Sequence, residues 1–192
     1  MSVNLSKGQK VSLAKEGSSL NQLLMGLGWD VKKSKGLFGF GSREQNVDLD
    51  ASAVLFDAKG RQVDQVWFRQ LKTSNGSVIH TGDNRTGAGD GDDEQILVQL
   101  DKLPQEVQSI VFVVNSFTGQ SFDQVENAFC RLVDRNSNQE IARFNLSAQG
   151  SHTAMIMTKL YRQAGGWEFA AIGQNSSGRT FESLLPDIKP HL

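Results

Sequence analysis

The sequence predicts an all-β protein, an antiparallel two-sheet β-sandwich with a few short helices. Short runs in which apolar and polar residues alternate follow one another along most of the chain, separated by Gly, Asn, Asp and Ser. This period of two is typical of half-buried strands, and strands at such regular spacing favour a sandwich. Hydrophobic residues fill 38% of the 192 positions and charged residues 21%, so the chain can bury a full core and does not resemble a disordered one.

The predicted strands follow from the alternation of side chains. Residues 47–56 begin with alternation and end in an apolar run, and the turn 57–60 follows. The pair Asn75–Gly76 predicts a tight hairpin between the runs 63–71 and 77–80, because both residues accept positive φ. Further strands are expected over residues 95–100, 109–117, 128–133, 140–146, 153–161 and 167–172.

Helices should be few and short. Residues 121–124 have the spacing of a capping box, and a terminal turn over residues 180–185 should stop at Pro186. Residues 31–46, rich in Gly and Lys, predict a long surface loop inserted into a single sandwich domain that spans residues 1–192. The aromatic side chains of this insert are expected to fold back onto the sandwich, and docking on a membrane surface or a partner is the alternative.

Composition also indicates the cellular location and argues against nucleic-acid binding. The single cysteine, Cys130, cannot form an internal disulfide, and the N-terminal residues lack the apolar region of a secretory signal. No apolar stretch approaches the roughly 18 residues needed to cross a bilayer, so we expect a cytoplasmic protein. The net charge is −1 and the chain carries no basic stripe, which argues against nucleic-acid binding.

Negative charge is concentrated between Thr81 and Glu94. This segment, the acidic segment, contains one base, Arg85, and five acids, which are Asp83, Asp90, Asp92, Asp93 and Glu94. Its net charge of −4 repels itself unless a cation offsets it, so replacing Asp92 by Asn should leave the metal-free protein unchanged or slightly stabilised. These carboxylates and Asn84 offer hard oxygen ligands, and an abundant, irregular set of them favours Ca²⁺ over Mg²⁺ or zinc.

The acidic segment is not an EF-hand. Arg85, Gly87 and Ala88 stand where that motif requires Asp or Asn, Asp or Asn, and Gly, and the flanking residues have the pattern of strands. We therefore expect a calcium loop between two strands, and the alternative is a solvated acidic turn.

A second acidic pair precedes the segment. Asp48 and Asp50 are two residues apart on a predicted strand, so both carboxylates should point to one face while Leu49 points to the other. The pair can complete the coordination of the loop, or it can be the polar face of a half-solvated strand. Asp30 is a weaker contributor, for which a turn or capping role is an equal alternative. The carboxylates exceed what one ion needs, so two calcium ions are expected, with candidate ligands Asp30, Asp48, Asp50, Asp83, Asn84, Asp90, Asp92, Asp93 and Glu94.

Four motifs together resemble a known family. GLGWD at residues 26–30, DLDAS at 48–52, HTGDNRTGAGDGDDE at 80–94 and VFVVNSF at 111–117 closely resemble the TerD family of bacterial tellurium-resistance and stress-response proteins. The resemblance implies a β-sandwich that binds calcium through acidic loops, lies in the cytoplasm and associates with other Ter proteins, including a membrane-anchored component. The insert and the ending at residues 190–192 resemble the TerZ-type branch of that family.

The expected function is that of a non-enzymatic calcium-binding module in the tellurium-resistance and stress response, which engages a partner when its loops are ordered by the metal. One alternative is a calcium-dependent module that binds a lipid surface, which would make the protein peripherally membrane-associated. A less favoured alternative is a metal-dependent hydrolase, which lacks an obvious general base because His80, His152 and His191 are scattered.

Overall fold

The computed structural model describes residues 2–13, 20–31, 47–81, 91–146, 150–164 and 166–192. Most of the predicted insert and three of the candidate ligands, Asp83, Asn84 and Asp90, lie outside these residues.

Within the described residues, twelve strands form two six-stranded sheets, which confirms the predicted sandwich. The first sheet has the order β1 (Val3–Leu5), β10 (Gln139–Asn145), β9 (Val125–Asp134), β3 (Gln22–Val31), β7 (Glu94–Gln99) and β6 (Val78–His80). The second sheet has the order β2 (Lys10–Ser12), β12 (Gly166–Ser176), β11 (Ala154–Gln163), β8 (Ser109–Ser116), β4 (Leu49–Phe56) and β5 (Gln62–Val66). In the described part of the chain the pairings are antiparallel apart from that of β1 with β10.

Strand β4 is buried on both faces. Its residues Leu49, Ala51, Ala53 and Leu55 point into the core between the sheets. Val54 and Phe56 point to the outer face of the second sheet, against the C-terminal helix. Because side chains alternate along a strand, Asp50 belongs to this outer face.

The C-terminal helix α1 (Phe181–Ile188) does not stop at Pro186, as the sequence predicted, but continues through it. A proline inside a helix costs about 3 kcal/mol. Phe181, Leu184 and Ile188 are at most 3% exposed on the second sheet, and each buried side chain of this kind contributes about 1.5–3 kcal/mol. Burial of the apolar face therefore outweighs the lost hydrogen bond. Short 3₁₀ turns lie at Leu100–Lys102, at Phe122–Gln124 as the capping box predicted, and at Lys189–His191.

The hairpin predicted around Asn75–Gly76 is half right. The tight turn exists, with Gly76 at φ +71°, but β5 pairs with β4 and β6 with β7, in different sheets. The predicted strand 63–71 ends early because Trp67 and Gln70 exchange backbone hydrogen bonds in a second tight turn. The chain crosses from the second sheet to the first between these two turns.

Strand β3 was absent from the predicted strands, although it lies in the middle of the first sheet between β7 and β9. Gly26 and Gly28 interrupt its apolar run and resemble turn residues. A Cβ at Gly26 would lie 2.3 Å from the Asp92 carboxylate, and one at Gly28 would lie 2.6 Å from the Gly91 carbonyl oxygen. Both glycines are therefore needed because the end of the acidic segment packs directly on this strand.

No helix among the described residues is long and apolar enough to cross a membrane.

Candidate functional site

Six candidate ligands lie in the described residues: Asp30, Asp48, Asp50, Asp92, Asp93 and Glu94. The acidic segment leaves β6 at Thr81 and returns to the described chain at Gly91, one turn before β7. The structure therefore fixes the two ends of the segment and the strands around them.

The three consecutive acids Asp92, Asp93 and Glu94 point in three different directions. Glu94 begins β7 on the same face as the core residues Ile96 and Val98, whereas Asp92 lies on the outer face of the first sheet, above Gly26. Asp93 precedes β7 and extends its backbone pairing with β3, since the Asp93 N–H donates to Leu27 O at 2.8 Å. Regular alternation would put Asp92 and Glu94 on the same face, so the chain departs from strand geometry at Asp93, before β7 begins at Glu94.

Glu94 connects the two sheets at the base of the acidic segment. The residue is 1% exposed, and its Oε2 accepts from the backbone N–H of Ala51 in β4 at 2.5 Å. His80 Nε2 lies 3.4 Å from the same oxygen, also buried. A carboxylate of the first sheet therefore binds the backbone of the second sheet one residue after Asp50.

Asp50 and Asp48 occupy the start of β4, as the alternation predicted. Asp50 is 5% exposed and lies opposite Asn115 of β8, whose Nδ2 donates to Arg179 O at 2.8 Å. Asp48 is half-buried, and one carboxylate oxygen of each aspartate is shielded from solvent. We call Asp48, Asp50 and Glu94 the inner group because the first two lie at the start of β4 and Glu94 binds the β4 backbone at Ala51, although Asp50 points to the opposite face of that strand.

Asp93 and Asp30, which lie near each other at the end of β3, form an outer group. Asp93 Oδ2 accepts from the backbone N–H of Trp29 at 2.8 Å, and Asp30 Oδ2 accepts from Asn127 Nδ2 at 2.8 Å. Burial raises the pKa of the Asp93 carboxyl above its usual range, and the nearby charges of Asp30 and Asp92 add to this effect, against the lowering by the Trp29 N–H. A cleft of about 630 Å³ opens beside Asp30 and Asn127.

Asp92 has a cationic partner. Arg131 Nε donates to Asp92 Oδ1 at 2.7 Å and Arg131 Nη2 donates to Asp92 Oδ2 at 3.0 Å, while Gln95 Nε2 lies 3.2 Å from Oδ2. The hydrogen bond with Asp92 raises the pKa of the Arg131 guanidinium. Asp92 was expected to face a metal ion, and in the structure both of its oxygens face Arg131.

The described residues do not by themselves enclose a metal ion, since they contain no group of three or more His, Cys, Asp or Glu side chains close enough to share one. The acids of the inner and outer groups offer carboxylate oxygens, which are the type of ligand that hard cations such as Ca²⁺ take. Any site here needs further oxygens from residues 82–90, where Asp83, Asn84 and Asp90 lie.

Three residues of this region were not among the sequence candidates: His80, Asn127 and Arg131. His80 begins the long acidic motif, so its position beside Glu94 could have been suspected from the sequence. Asn127 takes a φ of +53°, which Asn tolerates better than most residues, but no local pattern points to Asp30. Arg131 lies between the core residues Cys130 and Leu132, which fixes its face but not its partner.

Comparisons with known proteins give a consistent result. Residues 1–187 match the TerD domain. The chain is similar to the tellurium resistance protein TerZ of Serratia marcescens, at 52% identity over 97% of this chain and 96% of that protein. It is similar to the tellurium resistance protein TerD of the same organism, at 46% identity over 93% of each chain. Its fold resembles the crystal structure of a TerD homologue from Streptomyces coelicolor A3(2), with a TM-score of 0.70 and 21% identity over 87% of this chain and 96% of that one.

Proposed function

The chain belongs to the TerD domain family, and from that premise we propose that it is a non-enzymatic calcium-binding protein of the tellurium-resistance and stress response. The observation that carries the proposal is the burial of Glu94 and Asp50 at the base of the acidic segment. A buried carboxylate is costly unless a cation or hydrogen-bond donors offset its charge. A segment of net charge −4 joins the fold at this point, which makes a cation the more effective counter-charge.

The chemistry of the donors supports calcium over other metals. The inner group of Asp48, Asp50 and Glu94 supplies hard oxygens, and the acidic segment adds Asp83, Asn84 and Asp90. Ca²⁺ takes six to eight such oxygens in flexible geometry, whereas zinc prefers His and Cys. Asp30 and Asp93 contact β3 and β9 of the first sheet, whereas Asp48 and Asp50 lie at the start of β4 in the second, which supports the expectation of two ions.

In this proposal calcium supplies positive charge and the chain supplies the frame that holds it. Glu94 keeps the base of the acidic segment on β4 through Ala51, and Asp93 keeps it on β3 through Trp29. Both contacts hold the C-terminal end of the acidic segment, and the N–H of Thr81 donates to Gln95 O at 3.0 Å at the other end. Closure of the segment around an ion therefore starts with its ends already held together. The ordered surface would then engage other Ter proteins, including a membrane-anchored component, in the cytoplasm.

Thermal unfolding with and without calcium tests the proposal. A ligand that binds only the folded state adds about 2.7 kcal/mol at a hundredfold excess over Kd, which raises the melting temperature of a domain of this size by about 5–10 °C. Asp50→Asn should abolish most of that shift. The matched control is Asp57→Asn, at a turn where Asp57 accepts from the backbone N–H of Lys59 and Arg61 and asparagine can do the same. Equal melting temperatures in chelator and in millimolar calcium would remove the proposal.

A calcium-dependent lipid-surface module is the second candidate function, and one feature favours it. Phe117 is 38% exposed and its ring lies 5.3 Å from that of Phe68, on which Arg69 stacks, beside the start of β4. An aromatic patch with a cation fits an anionic lipid interface. Sedimentation with phosphatidylserine vesicles, with phosphatidylcholine vesicles as the control, separates this function from protein partnership: binding that needs both calcium and phosphatidylserine would support it.

A further inference from the structure

We propose that Arg131 is a positioning residue of the proposed calcium site, acting through Asp92 to hold the neighbouring acids Asp93 and Glu94 in place. Asp92 then serves as an anchor and is not itself a ligand. The inference rests on the proposed function, because it assigns the part that two of the chain's own residues play in that site.

The first argument is the geometry of the pair. The two hydrogen bonds of Arg131 run in parallel to the two oxygens of Asp92, and the Asp92 side chain is fully buried while that of Arg131 is 29% exposed. Calcium binds carboxylate oxygens at 2.3–2.6 Å, so an ion on Asp92 would stand close to the guanidinium charge. A bidentate arginine therefore makes Asp92 a poor calcium ligand and a good structural contact.

The second argument is that the first sheet is shaped to receive this pair. Arg131 lies directly opposite Gly26 in the β3–β9 pairing, and the Asp92 carboxylate occupies the space that a side chain at position 26 would fill. Arg131 is held in turn by Glu140, whose Oε2 lies 3.5 Å from Nη1. Glu140 also accepts from Arg143 Nη2 at 2.8 Å. The anchor is thus one end of a charged network on the outer face of the sheet.

The third argument is strand register. Asp92 and Glu94 are two residues apart but point to opposite faces, so the chain departs from regular strand geometry just before β7. A slip of one residue in β7 would turn Glu94 away from Ala51, because each side chain would change face. The ion pair between Asp92 and Arg131 holds the irregular residues in place and, with the pairing of β7 to β3 and β6, opposes that slip.

A double-mutant cycle on calcium affinity tests the inference, using Arg131→Gln, Asp92→Asn and the double variant. If Asp92 acts through Arg131, each single variant should weaken calcium binding by about tenfold, which is ~1.4 kcal/mol, and the double variant should be no weaker than either. The direction in which Arg131→Gln changes the calcium affinity is decisive. Removing a positive charge near a cation site should by simple electrostatics strengthen calcium binding, and freeing a ligand carboxylate should strengthen it further.

Arg143→Gln is the matched control. Arg143 has the same exposure as Arg131, 28% against 29%, and also binds Glu140, but it forms no ion pair with Asp92. Its loss should leave calcium affinity unchanged or slightly increased. A second perturbation without charge is Gly26→Ala, whose methyl group would displace the buried carboxylate and should weaken calcium binding to a similar extent.

Hydrogen exchange of the Asp93 and Ala51 amides in chelator gives a readout that does not need bound metal. Both amides should exchange faster in Arg131→Gln than in the Arg143→Gln control. If Arg131→Gln fails to fold, Arg131→Lys, which keeps the charge and loses the second hydrogen bond, should give an intermediate affinity. Wild-type protein that binds no calcium would overturn the proposed function, whereas wild-type binding with unchanged or tighter binding by Arg131→Gln would overturn this inference alone.

Discussion

Glu94→Gln probes how the base of the acidic segment is tied to the second sheet. Glutamine keeps the shape and one acceptor oxygen, so the Ala51 N–H retains a partner, but the acceptor loses its charge. A hydrogen bond to a charged group contributes about 1.5–3 kcal/mol and a neutral one about 0.5–1.5 kcal/mol. Because Glu94 is 1% exposed, solvent does not screen this difference, and the variant should lose about 1–1.5 kcal/mol in the metal-free protein.

For a domain of this size, that loss lowers the melting temperature by about 2–6 °C. Glu94→Ala should lower it further, because the buried Ala51 N–H then lacks this acceptor and a cavity remains. The assay is thermal unfolding followed by circular dichroism in excess chelator. Glu106→Gln, at an exposed turn position before β8, is the control and should leave the melting temperature unchanged. If Glu94→Gln has the same melting temperature as the Glu106→Gln control, the hydrogen bond between Glu94 and β4 does not stabilise the fold.

Three further predictions concern the sheet around the site. Gly28→Ala puts a Cβ 2.5 Å from Phe129 Cζ and 2.6 Å from a backbone carbonyl, so it should destabilise the protein by about 1–3 kcal/mol in denaturant unfolding, and an unchanged midpoint would mean that the segment does not pack there. Burial raises the pKa of the Cys130 thiol to about 12, so a thiol reagent at pH 8 should modify it only after unfolding, and rapid labelling of the native protein would contradict its burial. Hydrogen bonds from Arg143 and Ser2 outweigh burial and hold the pKa of Glu140 below its ordinary 4.5, so its stabilisation is present above pH 4.5 and is lost as the pH falls through the folded-state pKa. Glu140→Gln should therefore be less stable than wild type at pH 7, the difference should shrink steadily as the pH falls below 4.5 in denaturant unfolding, and a constant difference would refute this.

The fold class and the orientation of the Asp48–Asp50 pair could be predicted because they depend on local alternation. Leu49 points into the core and Asp50 to the opposite face, as a period of two requires. Strand β3 could not be predicted in the same way, because its glycines look like turn residues until the acidic segment is seen to pack against them. Glycine is required at position 26 because Asp92, far away in sequence, packs against it, and the pattern of a single sequence does not reveal such a contact.

The candidate site was predicted in composition but not in arrangement. Alternation would have put Asp92 and Glu94 on one face, and the irregular residues before β7 that separate them have no local sequence signal. The neutral or slightly stabilising effect expected for Asp92→Asn in the metal-free protein was inferred from repulsion within the segment. The structure predicts destabilisation instead, because the substitution removes the charge that Arg131 binds at 2.7 Å. Arg131 lies 39 residues from Asp92, and the pairing of β3 with β9 that brings them together is a tertiary feature.

Calorimetric titration of the wild-type protein with calcium is the most direct test of the central claim. The account predicts a saturable heat with a stoichiometry near two and dissociation constants between about 0.1 and 10 μM, the range of sensor-type oxygen sites, with only weak competition from Mg²⁺. The absence of a saturable heat, or equal affinity for Mg²⁺, would contradict the claim that these carboxylates form a calcium site.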